Sequence, residues 1–90
     1  MNQVILNKKA KKQFQKLPIH VARKFLKWSE QVETFGIRMI REIPGYHDEP
    51  LQSDKKGQRS IRLSKAYRAF YIEHEDYIII EVIEVNKHDY

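Results

Sequence analysis

Six cations, Lys55, Lys56, Arg59, Arg62, Lys65 and Arg68, stand between residues 55 and 71 with no carboxylate among them. The stretch reads KKGQRSIRLSKAYRAFY, and the sequence closes on NKHDY, which adds Lys87 and three side chains able to move or orient protons, His88, Asp89 and Tyr90. Cations of this density suit phosphate. Cleaving RNA without a metal needs a group to take the proton of the ribose 2′-hydroxyl, cations to hold the phosphate as negative charge grows, and a donor for the departing 5′-oxygen. The nucleophile belongs to the substrate.

Arg62 and Arg68 suit the electrostatic part, because guanidinium grips phosphate oxygens as a bidentate fork. Their plainer reading is an exposed sheet face that keeps the protein soluble. A histidine titrates near ~6.5 and a tyrosine near ~10, so His88 fits acid or base work and Tyr90 fits it once cations lower its pKa. Asp89 either orients the imidazole or repels the substrate, and the plainer reading of the tripeptide is a frayed end. His47 is a second proton carrier in the preceding loop, although a loop histidine is more often an ordinary surface residue. Asp48, Glu49 and Asp54 lack recognisable metal-ligand spacing, so no metal site is expected. Tyr67 and Tyr71 either stack on bases or pack in the sheet.

The elements that must position these groups follow from periodicity. Gln3 to Leu6 reads as an edge strand, and Asn7 as the cap of a helix over KKAKKQFQKL with Phe14 and Leu17 inward. Pro18 ends that helix and opens a second, along which Val21, Phe25, Trp28, Val32 and Phe35 form one stripe up to Gly36. Ile37 to Ile43 adds a helical turn or two before the loop PGYHDEP. In the next strand Arg59, Ile61 and Leu63 share one face and Ser60, Arg62 and Ser64 the other. SKA turns into a strand over Tyr67 to Ile72, HED forms a hairpin turn, and Tyr77 to Val85, apolar at its start, reads as a central strand. The order predicts an α+β domain, an N-terminal helical hairpin packed on a small antiparallel sheet whose other face carries Arg62, Arg68 or both.

The totals narrow the class. The chain of 90 residues carries a net charge of +5 and no cysteine, which favours polyanion partners and a reducing compartment and leaves no thiolate metal site or disulfide. No apolar run approaches the ~18 residues of a membrane span, and the N-terminus lacks a secretory core, so a cytoplasmic protein is expected, with no membrane partner. Lys8, Lys9, Lys11 and Lys12 give the first helix a basic face, in the plain reading a solvated one.

At this point the chain resembles the RelE/ParE superfamily of bacterial toxin–antitoxin toxins, most closely the HigB-like and RelE-like mRNA interferases. The resemblance rests on LQSDKKGQRSIRLSKAYRAFYIE and the closing EVNKHDY. It implies one RelE-like domain over residues 1–90, with the RelE-like microbial RNase fold and a twisted sheet. It also implies a toxin that enters the ribosomal A site and cuts mRNA by 2′-hydroxyl attack, leaving a 2′,3′-cyclic phosphate. A cognate antitoxin would neutralise it, and operator DNA would be bound only through that complex. Carried over by position, Arg62 and Arg68 hold the scissile phosphate, His88 acts as acid and Tyr90 lies near the nucleophile. From the basic stretch itself, Lys55, Lys56, Arg59, Lys65, Lys87 and His47 are expected to line the RNA, and the resemblance implies that Lys8, Lys9, Lys11 and Lys12 face ribosomal RNA. Glu49 stands where HigB-like members have a loop histidine, two residues after His47, and Ser53 replaces a glycine. Two rival readings share the fold, a ParE-like gyrase inhibitor and an inactive regulatory module; a plain basic nucleic-acid-binding domain is a third.

Overall fold

The computed structural model describes residues 2–51, 57–75 and 79–87. Its elements run β1 (Gln3–Leu6), α1 (Lys8–Phe14), α2 (Ile19–Phe35), α3 (Ile37–Ile40), a 3-10 turn at Pro44–Tyr46, β2 (Glu49–Pro50), β3 (Gln58–Arg62), β4 (Tyr67–His74) and β5 (Ile79–Lys87). The sheet has five strands in the order β1-β5-β4-β3-β2. It is mixed rather than purely antiparallel, because β1 runs parallel to β5 with Gln3 opposite Ile79 and Leu6 opposite Val82. The other pairs are antiparallel. β5 has a neighbour on each side, as its apolar character predicts.

Asn7 caps α1, its side chain accepting from the Ala10 amide at 2.8 Å. The helix ends at Phe14, three residues before the expected Leu17, and both side chains remain packed against the core. In α2 the residues Val21, Phe25, Trp28 and Val32 are buried as the stripe requires, but Phe35 is 59% exposed. The stripe outlasts the surface it covers. At Gly36 the chain adopts φ +89° and turns away, a conformation open to glycine at little strain.

The core is bonded by an aromatic run. Phe14 meets Phe25 at 5.6 Å between ring centroids, Phe25 meets Trp28 at 5.8 Å, and Trp28 meets Tyr71 of β4 at 5.5 Å. Trp28 is fully buried, so Trp28→Ala is expected to destabilise the fold by about 3–5 kcal/mol, read as a lower urea midpoint. Strand alternation then sorts the sheet. Ile61, Ala69, Tyr71, Ile80, Val82 and Val85 belong to the core cluster under the helices, which leaves Ser60, Arg62, Arg68, Phe70 and Asn86 on the opposite face.

The sheet edges are managed rather than left open. On β1 the Val4 amide donates to the Glu33 carboxylate of α2 at 2.9 Å. Beyond the end of β1, the Val85 amide of β5 donates to the Gln13 side-chain oxygen of α1 at 2.7 Å. At the far side, β2 is two residues long and ends in a proline. These are the devices that keep a strand edge from recruiting another chain.

Candidate active site

Arg62 on β3 and Arg68 on β4 are register partners, directly opposite each other. The loop between them is short, with Leu63 and Ser64 amides both bonded to the Tyr67 carbonyl and the Ser64 hydroxyl accepting from the Ala66 and Tyr67 amides. Side chains so placed have Cβ atoms ~4.5–5.5 Å apart, and like charges there repel. Two guanidinium groups in this position are matched to an anion bound between them. The Arg62 Nε is buried and makes no hydrogen bond among the described residues.

Arg68 is held in place. Its Nη1 donates to the Ser60 hydroxyl at 3.2 Å, and Ser60 is itself 2% exposed. The same nitrogen lies 3.7 Å from a carboxylate oxygen of Glu49. Glu49 is the register partner of Ser60 across β2 and β3, so it shares the arginine face. Its side chain is 61% exposed, against 11% for Arg68. The arrangement is an open carboxylate beside a guanidinium pair of which Arg68 is tethered. Ser60→Ala is expected to leave stability nearly unchanged while raising the KM for a phosphodiester substrate several-fold, because Arg68 loses its tether but keeps its charge; a KM-against-kcat comparison checks this.

The loop that carries Glu49 is pinned twice. The Tyr46 hydroxyl donates to the Gln31 side-chain oxygen of α2 at 2.5 Å, and Lys24 lies 5.1 Å over the Tyr46 ring. Burial raises the pKa of that hydroxyl. Two positions on, the Asp48 carboxylate is 1% exposed. It accepts from Arg59 Nε at 2.6 Å and from the Tyr71 hydroxyl at 2.5 Å, with Arg41 Nε at 3.9 Å. Arg41 also pairs with Glu73. Burial works to lower the Arg59 pKa, but the hydrogen bond and charge of Asp48 outweigh it and hold the guanidinium above its ordinary value. Burial first, and then the Asp48 charge, push the Tyr71 hydroxyl far above its own.

These contacts sort the residues expected from sequence. Arg62 and Arg68 come together. Arg59 does not join them: it lies on the helix face beside Tyr71 and is committed to Asp48. Lys65 sits exposed in the β3–β4 loop and Lys87 exposed at the end of β5. His47 is exposed, with left-handed φ +46° between the two loop anchors. Lys8, Lys9, Lys11 and Lys12 are exposed on α1. Lys9 reaches Glu84 of β5 at 2.9 Å, and Glu84 also accepts from Asn86, the register partner of Arg68. The basic helix and the arginine face are thereby linked through one carboxylate. Lys55, Lys56, His88, Asp89 and Tyr90 lie outside the described residues, as do Ser53, Asp54 and Tyr77. Tyr67 packs against the core and Tyr71 is fully buried, so neither is offered to a base. Among the described residues no cluster of three potential metal ligands occurs, and no helix is long and apolar enough to cross a membrane.

Three site residues escape a reading by charge alone. Ser60 and Phe70 are assigned by alternation once the arginine face is known. Glu49 depends on β2, a strand too short and too proline-marked to stand out in the sequence.

No family model and no curated protein matches this chain. Solved structures do, several of them described as toxins or toxin–antitoxin complexes. The YoeB–YefM complex from Staphylococcus aureus aligns with a TM-score of 0.74 at 16% identity, covering 99% of each chain. The archaeal RelE–RelB complex from Pyrococcus horikoshii OT3 gives 0.72 at 22% identity, covering 96% of this chain and 93% of that one. YafQ from E. coli gives 0.72 at 14% identity, covering 98% and 94%. The chain has the α+β fold of the RelE-like toxins over nearly its whole length.

Proposed function

We propose that this chain is a toxin of a toxin–antitoxin pair, a single RelE-like domain over residues 1–90 that acts as a ribosome-dependent endoribonuclease in the cytoplasm. The observation that carries the reading is the Arg62–Arg68 pair with Glu49 at its open side. The guanidinium groups bind the two non-bridging oxygens of one phosphate and hold the charge that develops on them. Glu49 takes the proton of the adjacent ribose 2′-hydroxyl as its oxygen bonds to phosphorus. The bond from phosphorus to the 5′-oxygen breaks, and His88 supplies that oxygen with a proton. The products are a 2′,3′-cyclic phosphate and a 5′-hydroxyl. Every atom is accounted for without a metal or other cofactor.

Tyr90 stands near the attacking hydroxyl and Asp89 orients His88 in this scheme. Lys55, Lys56, Lys65, Lys87 and His47 follow the RNA backbone, and Lys8, Lys11 and Lys12 meet ribosomal RNA. Lys9 has the additional task of holding Glu84. The RelE and YoeB neighbours were solved with RelB and YefM, which supports a cognate antitoxin here, with operator DNA bound through the complex.

The test is end-mapping of a defined mRNA on purified ribosomes, with a ribosome-free control. Wild-type protein is expected to cut within the A-site codon and leave a cyclic phosphate. Glu49→Gln, which keeps size and removes basicity, is expected to slow cleavage about 10²–10⁴-fold. Cleavage equal in both proteins would remove Glu49 from the base role; no cleavage together with gyrase-dependent DNA breaks would replace the reading with the ParE-like one.

A further inference from the structure

We infer that Phe70 is the platform on which a base next to the scissile phosphate stacks. The inference rests on the nuclease reading and adds the residue that senses the base. Phe70 lies between two fully buried neighbours, Ala69 and Tyr71, and alternation therefore turns it to the opposite face. It is half-buried and stands outside the core cluster and the residues packed on it. Its register partners are Ser60 on β3 and Glu84 on β5, and Arg68 precedes it by two positions on the same face. Phe70 is thus an apolar ring set among a hydroxyl, a carboxylate and a guanidinium. Among the described residues it is the aromatic side chain that the register puts on this face.

The spacing fits a nucleotide. Same-face positions on a strand lie about 7 Å apart, the order of the reach from a phosphate to the base of its own nucleotide. A phosphate held by Arg62 and Arg68 leaves the attached base over Phe70, and a π-face accepts any base. The backbone yields a step at this point, because the β4–β5 register shifts between Phe70 and Tyr71. Such bulges re-aim side chains next to active sites.

The experiment uses ribosomes programmed with mRNA carrying 2-aminopurine at each base of the A-site codon in turn. A 2′-deoxyribose at the cut position blocks cleavage. Wild-type protein and Phe70→Trp are expected to quench the fluorophore at one position, and Phe70→Leu to leave it bright there. On cleavable mRNA, Phe70→Leu is expected to raise the half-saturating concentration about 5- to 150-fold. An abasic residue at that position is expected to erase the difference between the leucine variant and wild type. Quenching that survives in Phe70→Leu, or appears at no position with wild type, overturns the platform. Phe70-dependent quenching by a protein that cuts no mRNA upholds the platform and overturns the nuclease reading instead.

Discussion

Replacing Arg68 with alanine is expected to slow A-site cleavage about 10²–10³-fold and to leave the urea midpoint unchanged or slightly higher. The activity loss follows from removing a fixed donor aimed at a phosphate that gains charge in the transition state, a change that typically raises a barrier by about 3–4 kcal/mol. The stability gain follows from the register. Arg68 faces Arg62 across the β3–β4 pair, so its removal relieves like-charge repulsion, while the contacts forgone are one hydroxyl at 3.2 Å and an exposed carboxylate at 3.7 Å. An ion pair at 3.7 Å to so exposed a carboxylate contributes about 0–1 kcal/mol. Opposite signs for activity and stability mark a group placed for a ligand rather than for the fold. Arg68→Lys keeps the charge but not the fork, and is expected to recover only part of the rate. A matched drop in midpoint and rate would instead make Arg68 a structural residue.

Asp48→Ala is expected to have the opposite profile, with an effect on folding as large as that of Trp28→Ala. Its carboxylate is 1% exposed and accepts from Arg59 and Tyr71. Removing one member of a buried charged network leaves the others desolvated and unpaired, which costs about 3–5 kcal/mol. Against a total of roughly 5–15 kcal/mol for a domain, this brings the protein close to unfolding at 37 °C. Asp48→Asn retains an acceptor and is expected to fall between the two. Alkaline titration probes the same network. The Tyr71 pKa is raised in the folded state, so the native state holds that proton more tightly than the unfolded chain. Its contribution is complete below the ordinary tyrosine value near ~10 and fades as pH rises through the folded-state pKa. Chemical denaturation between pH 8 and pH 11 is expected to show stability falling above about pH 10, a fall that Tyr71→Phe would blunt.

The parts of this molecule that alternation governs were readable from its residues. Ser60 and Arg62 share a face because a strand has period two, and their partners on β4 follow from the short connection. Charge counting groups Arg59 with them, whereas its spacing from Ile61 puts it on the helix side, where Asp48 holds it. Charge composition is blind to faces. Phe35 shows a limit of the helical stripe, since periodicity records which side of a helix is apolar and not how far the opposing surface extends. The parallel pairing of β1 with β5 has no local signal at all: four residues reveal a strand but not its neighbour. Glu49 is the instructive omission. Its place beside Arg68 is dictated by the bond of Tyr46 to Gln31 of α2 and by Asp48 under the sheet, contacts made across the fold.

The pairing of the first strand with the last also governs when this protein becomes itself. Gln3 waits for Ile79, Gln13 for Val85 and Lys9 for Glu84, so the contacts that close the sheet span nearly the whole chain. Such a topology folds slowly, because distant segments must meet before their contacts stabilise one another. During synthesis, Arg62 and Arg68 emerge well before β5, the strand that pairs with Arg68's β4, is available. The arginine face is therefore assembled only once β5 has followed them. Until then, a chain with the activity proposed above lacks the surface that would act.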